Sequence, residues 1–394
     1  MQRFKTFLKE ETEAESRQIK HLTHVEDRPL QNGAKGTEHA ISSLQATAKH
    51  IKDGKNTSEL TTKYDGSPSI VYGHHPSNGK FFVASKSAFN KEPKINYTNA
   101  DIEKNHGHAP GLAEKLKAAL KHLPKISPEK GVYQGDMMFS HDDLKNEKGG
   151  VSFHPNPSGL TYHAHGDLAK KAKDAKIGAI THLAYKGKDS KNLSVHHDVD
   201  HENFKQHPDV WTVDPRKDTS KVHFSKADQA QFNKHINAAK KIHDEHGEDM
   251  YASTKMHQGA SGHLESYINH TVRTGEKPNH EGLKSFIEGK YNKKIDNLKT
   301  EKSKAGKQQE LKNHLFHIEK NKNHYNNLLK MHSHLQKAKD TLINTLNQHQ
   351  HFEHTHRGDK SSGEGYVFHH GNDTDKLVDR AEFSRRNFEG TREF

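Results

Sequence analysis

The apolar positions of the chain change period twice. Between residues 37 and 53, Ala40, Ile41, Leu44, Ala48 and Ile51 recur at helical spacing, and Gly54 ends the run. Three short runs at about 59–64, 68–74 and 80–85 then alternate in the manner of strands, separated by Asp65-Gly66 and by Pro76-Ser77-Asn78-Gly79. Pro110 opens a helix carrying Leu112, Leu116, Ala119, Leu120 and Leu123. Strands follow at 131–139, near 151–153 and 160–163, and at 177–187, with a short helix at 167–175 before the last. Residues 37–215 therefore predict an α+β domain of antiparallel sheet and flanking helices.

From about 225 to 348 the period becomes purely helical. Phe232, Ile236, Ala239 and Ile242 share one face, as do Leu264, Tyr267, Ile268 and Val272, and leucines from Leu311 to Leu346 continue the pattern. Strand character returns at 363–370 and 376–383. The expected organisation is a leader over 1–36, a sheet domain over 37–215, an all-α insert over 216–357 and the end of the sheet domain over 358–394.

Composition narrows the function. Only 29% of the 394 residues are hydrophobic, so the core must be economical. Lys and Arg number 62 against 51 Asp and Glu, a net charge of +11 that suits a polyanionic partner. There is no cysteine, hence no disulfide and no thiolate metal site, and no apolar run approaches a membrane span. The 37 histidines follow no metal-ligand spacing and read as polar surface residues.

The chemistry concentrates in Thr61-Thr62-Lys63-Tyr64-Asp65-Gly66-Ser67-Pro68-Ser69. A lysine fixed between two strands, with Asp65 to orient it and Gly66 to admit close backbone approach, is arranged as a nucleophile. Four further segments stand downstream: ASKSAFN with Lys86, YQGDMMF with Asp136, EGYVF with Glu364, and KLVDR with Lys376 and Arg380. In this order the segments resemble the motifs of the covalent nucleotidyltransferase superfamily of polynucleotide ligases and capping enzymes, especially phage-type ATP-dependent RNA ligases. Over its whole length the chain also looks like a group of large tailed-phage proteins labelled RNA ligases.

The resemblance implies a nucleotidyltransferase fold and the joining of 5′-phosphate to 3′-hydroxyl ends through a lysine-AMP intermediate on Lys63. It implies that Thr62, Asp65, Gly66, Ser67, Lys86, Lys376 and Arg380 bind ATP, that Tyr185 stacks on the adenine, and that Asp136 and Glu364 hold Mg²⁺ or Mn²⁺. Two positions depart from the family pattern: Asp136 stands where glutamate is usual, and Val378 where a second lysine is usual. The few residues after Arg380 leave no room for the carboxy-terminal domain of DNA ligases, so RNA is the expected substrate. The alternatives are a DNA ligase, and a catalytically weak ligase-fold protein that binds nucleic acid or serves in the virion. The opening MQRFKTFLKEE resembles phage capsid-targeting leaders cut after Leu8-Lys9-Glu10. The expected location is the host cytoplasm during infection, or the capsid interior through residues 1–10.

Overall fold

The β-branched and aromatic runs form antiparallel ladders wherever Gly, Pro and Asn punctuate them. Ser69–His74 and Phe81–Ala84 make a hairpin in which Val71 faces Ala84 and Tyr72 faces Val83. The first of these strands continues the sheet to Gly131–Ser140, then to Ile177–Lys186 and to Ser194–His196, while Val210–Trp211 adds in parallel to Ile177–Lys186. The computed structural model describes residues 22–156, 159–187, 194–255, 260–371, 373–380 and 382. It resolves into two units, the first built from Asn56–Asp218 with 350–371, the second from Thr23–Lys55, Thr219–His349 and 373–382.

In the first unit, the helix Pro110–His122 lays Ala113, Leu116 and Ala119 on one face of this sheet, against Ile70, Tyr72 and Met137. Val71, Phe82, Ala84, Val132 and Tyr185 cluster separately. A second sheet runs in the order Asp359–Ser361, Glu353–His356, Thr161–His165, Gly150–Phe153, Lys145–Glu147. Phe139, Phe153, Tyr162, Trp211 and Phe352 pack together, Phe153 stacking on Tyr162 at 5.5 Å between centroids. A third ladder pairs Leu60–Thr62 with Tyr366–His370, Thr62 opposite Tyr366.

The second unit is mostly helical, with helices Arg28–Lys52, Lys226–Lys255, Ala260–Thr274, His280–Asp296, Glu301–Lys320 and Lys322–Leu346. The predicted stripes are its core: Leu44, Ile236, Leu264, Leu283, Leu335 and Leu342 are all buried. None of the described helices is long and apolar enough to cross a membrane.

Polar contacts hold this unit together as much as apolar ones. Lys339 and Glu26, both fully buried, form an ion pair of 2.6 Å. Arg380 reaches both oxygens of Asp27 at 3.0 and 2.9 Å and donates to Asn269 Oδ1 at 2.5 Å. His332 Nε2 lies 2.8 Å from Asp27 Oδ1. Arg28 and His39 both bond the buried Asp375, each at 2.7 Å. Burial in low dielectric requires such partners, because a lone buried charge is costly.

Several expectations need correction. The first helix starts at Arg28 rather than 37, with Pro29 at its opening turn and a break at Gly33. The returning strand is Asp373–Leu377 and stops before Val378, so it does not extend to 383. Histidines are not confined to the surface: His50, His106, His280, His314, His332 and His356 are buried. The leader motif Leu8-Lys9-Glu10 lies outside the described residues.

Two predictions follow from the buried charges. Lys339→Ala removes the closest counter-charge of the Glu26 carboxylate and leaves it Arg380 at 3.9 Å, which is expected to cost about 3 kcal/mol in urea unfolding, whereas Glu26→Leu/Lys339→Met recovers most of that loss. Burial holds His24 at about 3 and His197 and His354 at about 4. These folded values lie below the unfolded one near 6.5, so each contributes stability that is complete above pH 6.5 and is lost as pH falls through the folded value. Each contribution is on the order of 1 kcal/mol per pH unit. Asp340, raised to about 6 by burial, offsets one of them. Thermal melts by circular dichroism are expected to show the midpoint falling between pH 7 and pH 5; a flat midpoint contradicts the neutral-histidine core.

Candidate active site

Lys63 leaves the strand Leu60–Thr62 with its backbone fixed on both sides. Thr62 N–H donates to Pro215 O at 2.7 Å, and Lys63 N–H donates to Gly365 O at 2.9 Å. That second bond sets Lys63 beside the residue that follows Glu364, and Gly365, at φ +127°, supplies the backbone conformation the chain needs there. The Lys63 Nζ donates to Glu364 Oε1 across 301 residues of sequence. The two side chains are 24% and 11% exposed, so the pair is shielded from water while remaining reachable.

The residues after Lys63 are clamped to the central sheet. Ser67 N–H donates to Met137 O at 2.9 Å, Met137 N–H donates to Pro68 O at 3.0 Å, and Ser69 stands opposite Asp136. A Cβ on Gly66 would lie 2.5 Å from the Cβ of Asp136, so only glycine lets the loop approach that strand. Asp136 Oδ2 lies 3.3 Å from His182 Nε2 on the next strand. Asp65 N–H donates to the Tyr162 hydroxyl at 2.7 Å, and Asp65 Oδ1 accepts from Asn156 Nδ2 at 3.1 Å. Asp65 Oδ2 is buried without a hydrogen-bond partner among the described residues.

The electrostatics follow from this crowding. Desolvation pulls the Lys63 ammonium down, but the charge and hydrogen bond of Glu364, helped by Asp136 and Asp65, outweigh it and raise the group above the ordinary lysine value. At neutral pH the resting amine is protonated and not nucleophilic. Three carboxylates act on a single lysine, an excess of negative charge that fits a divalent cation held by one or two carboxylates together with substrate phosphates. A preformed three-ligand cage is not found here. Among the described residues, the group of three that lies close enough is His280, Glu281 and Glu319, and Lys284 and Lys322 already neutralise those carboxylates.

The structure thus gathers Thr62, Lys63, Asp65, Gly66, Ser67, Asp136 and Glu364. The remaining expected residues have other surroundings. Tyr185 is 3% exposed, its hydroxyl donating to Gln134 Oε1 at 2.5 Å and its ring covered by Phe89 at 5.3 Å, so its face is not open to a base. Lys86 is exposed on the turn Lys86–Phe89. Lys376 is half-buried in the second unit, paired in register with His24. Arg380, expected to hold phosphate, has its guanidinium taken up by Asp27 and Asn269 and is 3% exposed. Val378 is buried.

Two cationic residues near the Lys63 strand and loop were not foreseen. Lys115 Nζ donates to Ser67 O at 3.1 Å from the helix Pro110–His122. Lys217, whose backbone N–H donates to Leu60 O at 2.8 Å, is 5% exposed, lies 5.7 Å from the Tyr366 ring centroid, and is lowered to about 8 by burial. Lysine is so frequent in this chain that only a helix face for Lys115 and the Asp-Pro-Arg-Lys turn for Lys217 marked them in sequence.

No curated protein and no solved structure matches the chain. Its residues 19–392 match one family model, and the chain belongs to that family of unknown function, DUF6267.

Proposed function

We propose that the protein is an ATP-dependent RNA ligase working through a lysine-AMP intermediate on Lys63. The observation that carries this reading is the pairing of Lys63 with Glu364 across 301 residues, with Asp136 and Asp65 acting on the same ammonium. A solvated surface lysine needs no such enclosure.

In the first step the Lys63 Nζ, having lost one proton to solvent, attacks the α-phosphorus of ATP. A P–N bond forms, the bond to the leaving pyrophosphate breaks, and the nitrogen gives up a second proton to solvent. In the second, an oxygen of an RNA 5′-phosphate attacks the AMP phosphorus, the P–N bond breaks, and the nitrogen takes up a proton to return the Lys63 amine. In the third, a 3′-hydroxyl attacks the 5′-phosphorus, AMP leaves, and the hydroxyl proton passes to solvent. Asp136 and Glu364 would hold Mg²⁺ or Mn²⁺, whose charge neutralises phosphate oxygens in these displacements. Lys115 reaches the Lys63 loop and Lys217 borders the Lys63 strand, and the phosphate-holding role expected of Arg380 falls to them. Glu364 also orients the ammonium until substrate arrives.

A second reading has its own support. Val378 and Arg380 are both buried, which leaves the last expected motif without two of its cations. A ligase-fold protein that binds nucleic acid without adenylylating itself would have this arrangement.

Two measurements test the proposal. Incubated with Mg²⁺ and ATP labelled at the α-phosphate, the wild-type protein is expected to retain label after denaturation, and Lys63→Ala to retain none; absence of label from either ATP or GTP on wild type leaves the second reading. Ligation of nicked duplexes with either sugar, RNA favoured, separates the RNA ligase from a DNA ligase.

A further inference from the structure

Among the described residues, Phe316 alone of the large hydrophobic side chains is exposed, at 71%. It projects from the helix Glu301–Lys320, whose buried positions His314 and Ile318 face the other way. In so polar a chain an aromatic ring left in water is unusual, and its neighbours are not apolar. One turn to either side on the same face stand Lys312 and Lys320, with Gln309 and Asn313 beside them, all exposed.

The lysines of this region fall into two groups. Lys304 pairs with Glu301, Lys307 with Glu310, Lys284 with Glu319 and Lys322 with Glu281. Lys312 and Lys320 have no carboxylate partner among the described residues and are exposed. Glu319, which also borders Phe316, already carries the Lys284 counter-charge. Lys302, at the far end of the helix, likewise has no such partner among the described residues, so two of the three lysines left unbalanced on this helix flank the exposed ring.

We propose that this face binds single-stranded nucleic acid, a base stacking on Phe316 while backbone phosphates meet Lys312 and Lys320. Each lysine stands four residues from the ring, a rise of about 6 Å along the helix. Aromatic stacking accepts any base, and lysine neutralises phosphate without reading sequence, so the surface grips a strand rather than a sequence. Gln309 Nε2 donates to Asn313 Oδ1 at 3.0 Å beside the ring, a polar border to the face. The site uses none of the residues of the ligase reading and does not depend on adenylylation. It is consistent with a net charge of +11 and supplies a place for a polyanion to lie.

Full-length protein is titrated into a fluorescein-labelled oligouridylate of about 20 nucleotides, without ATP or metal, at several salt concentrations, and binding is read by anisotropy. Phe316→Ala is expected to weaken binding roughly five- to hundredfold with the salt slope unchanged, and Phe316→Trp to preserve it. Lys312→Gln/Lys320→Gln is expected to lower affinity and to reduce the slope of log K against log salt by about 1.4, near 0.7 per phosphate contact. Because no ATP or metal is present, wild-type protein that takes up no label from ATP is still expected to bind here, which separates this site from the ligase reading. No binding by wild type at 50 mM salt, or equal affinity of wild type and Phe316→Ala, overturns the proposal. A larger particle for wild type than for Phe316→Ala by light scattering without RNA also overturns it, because the ring then covers a second copy of the chain.

Discussion

Lys339 has no contact with water, and its ammonium is tolerated because Glu26, 313 residues earlier, is buried against it, with Asp340 at 3.7 Å. That constraint propagates. Glu26 adjoins Asp27, which takes Arg380 and His332; Arg28, next in line, takes Asp375. Segments from the beginning, middle and end of the described chain are thus required together by charge balance. Remove any one, and the others carry uncompensated charges in a low-dielectric interior. A chain with 29% hydrophobic residues specifies its helical unit in this way, where a more apolar sequence would use leucine.

The same accounting explains what was and was not legible. Leu264, Leu283, Leu335 and Leu342 sit where helical periodicity puts them, because a helix buries whatever stripe is apolar. The strands at 69–74, 81–84 and 131–140 were equally visible through alternation and turns. Hydropathy does not register a buried lysine or histidine, so the Arg28–Lys52 helix and Asp373–Leu377 read as parts of the sheet domain, while ion pairs tie them to the helices. The histidines failed for a related reason: a neutral imidazole is a compact polar filler, and composition says nothing about which ones are neutral.

The candidate site was legible in part because its motifs are local. Lys63, Asp65 and Gly66 are neighbours in sequence, and Asp136 joins them by strand pairing. What sequence could not give was orientation. Tyr185 lies on the expected strand yet turns into an apolar cluster, and Arg380 turns toward Asp27. The Lys63 amine is also held in the protonated state more firmly than an ordinary lysine, because Glu364, Asp136 and Asp65 outweigh its desolvation.

The separation of Lys63 from Glu364 has a consequence in time. A ribosome adding about 5–20 residues per second exposes the glutamate roughly 15–60 s after the lysine. Throughout that interval the lysine strand has no Tyr366–His370 partner, and the amine has neither its orienting carboxylate nor its shelter. The Lys63–Glu364 pair therefore cannot form before residue 364 has been synthesised.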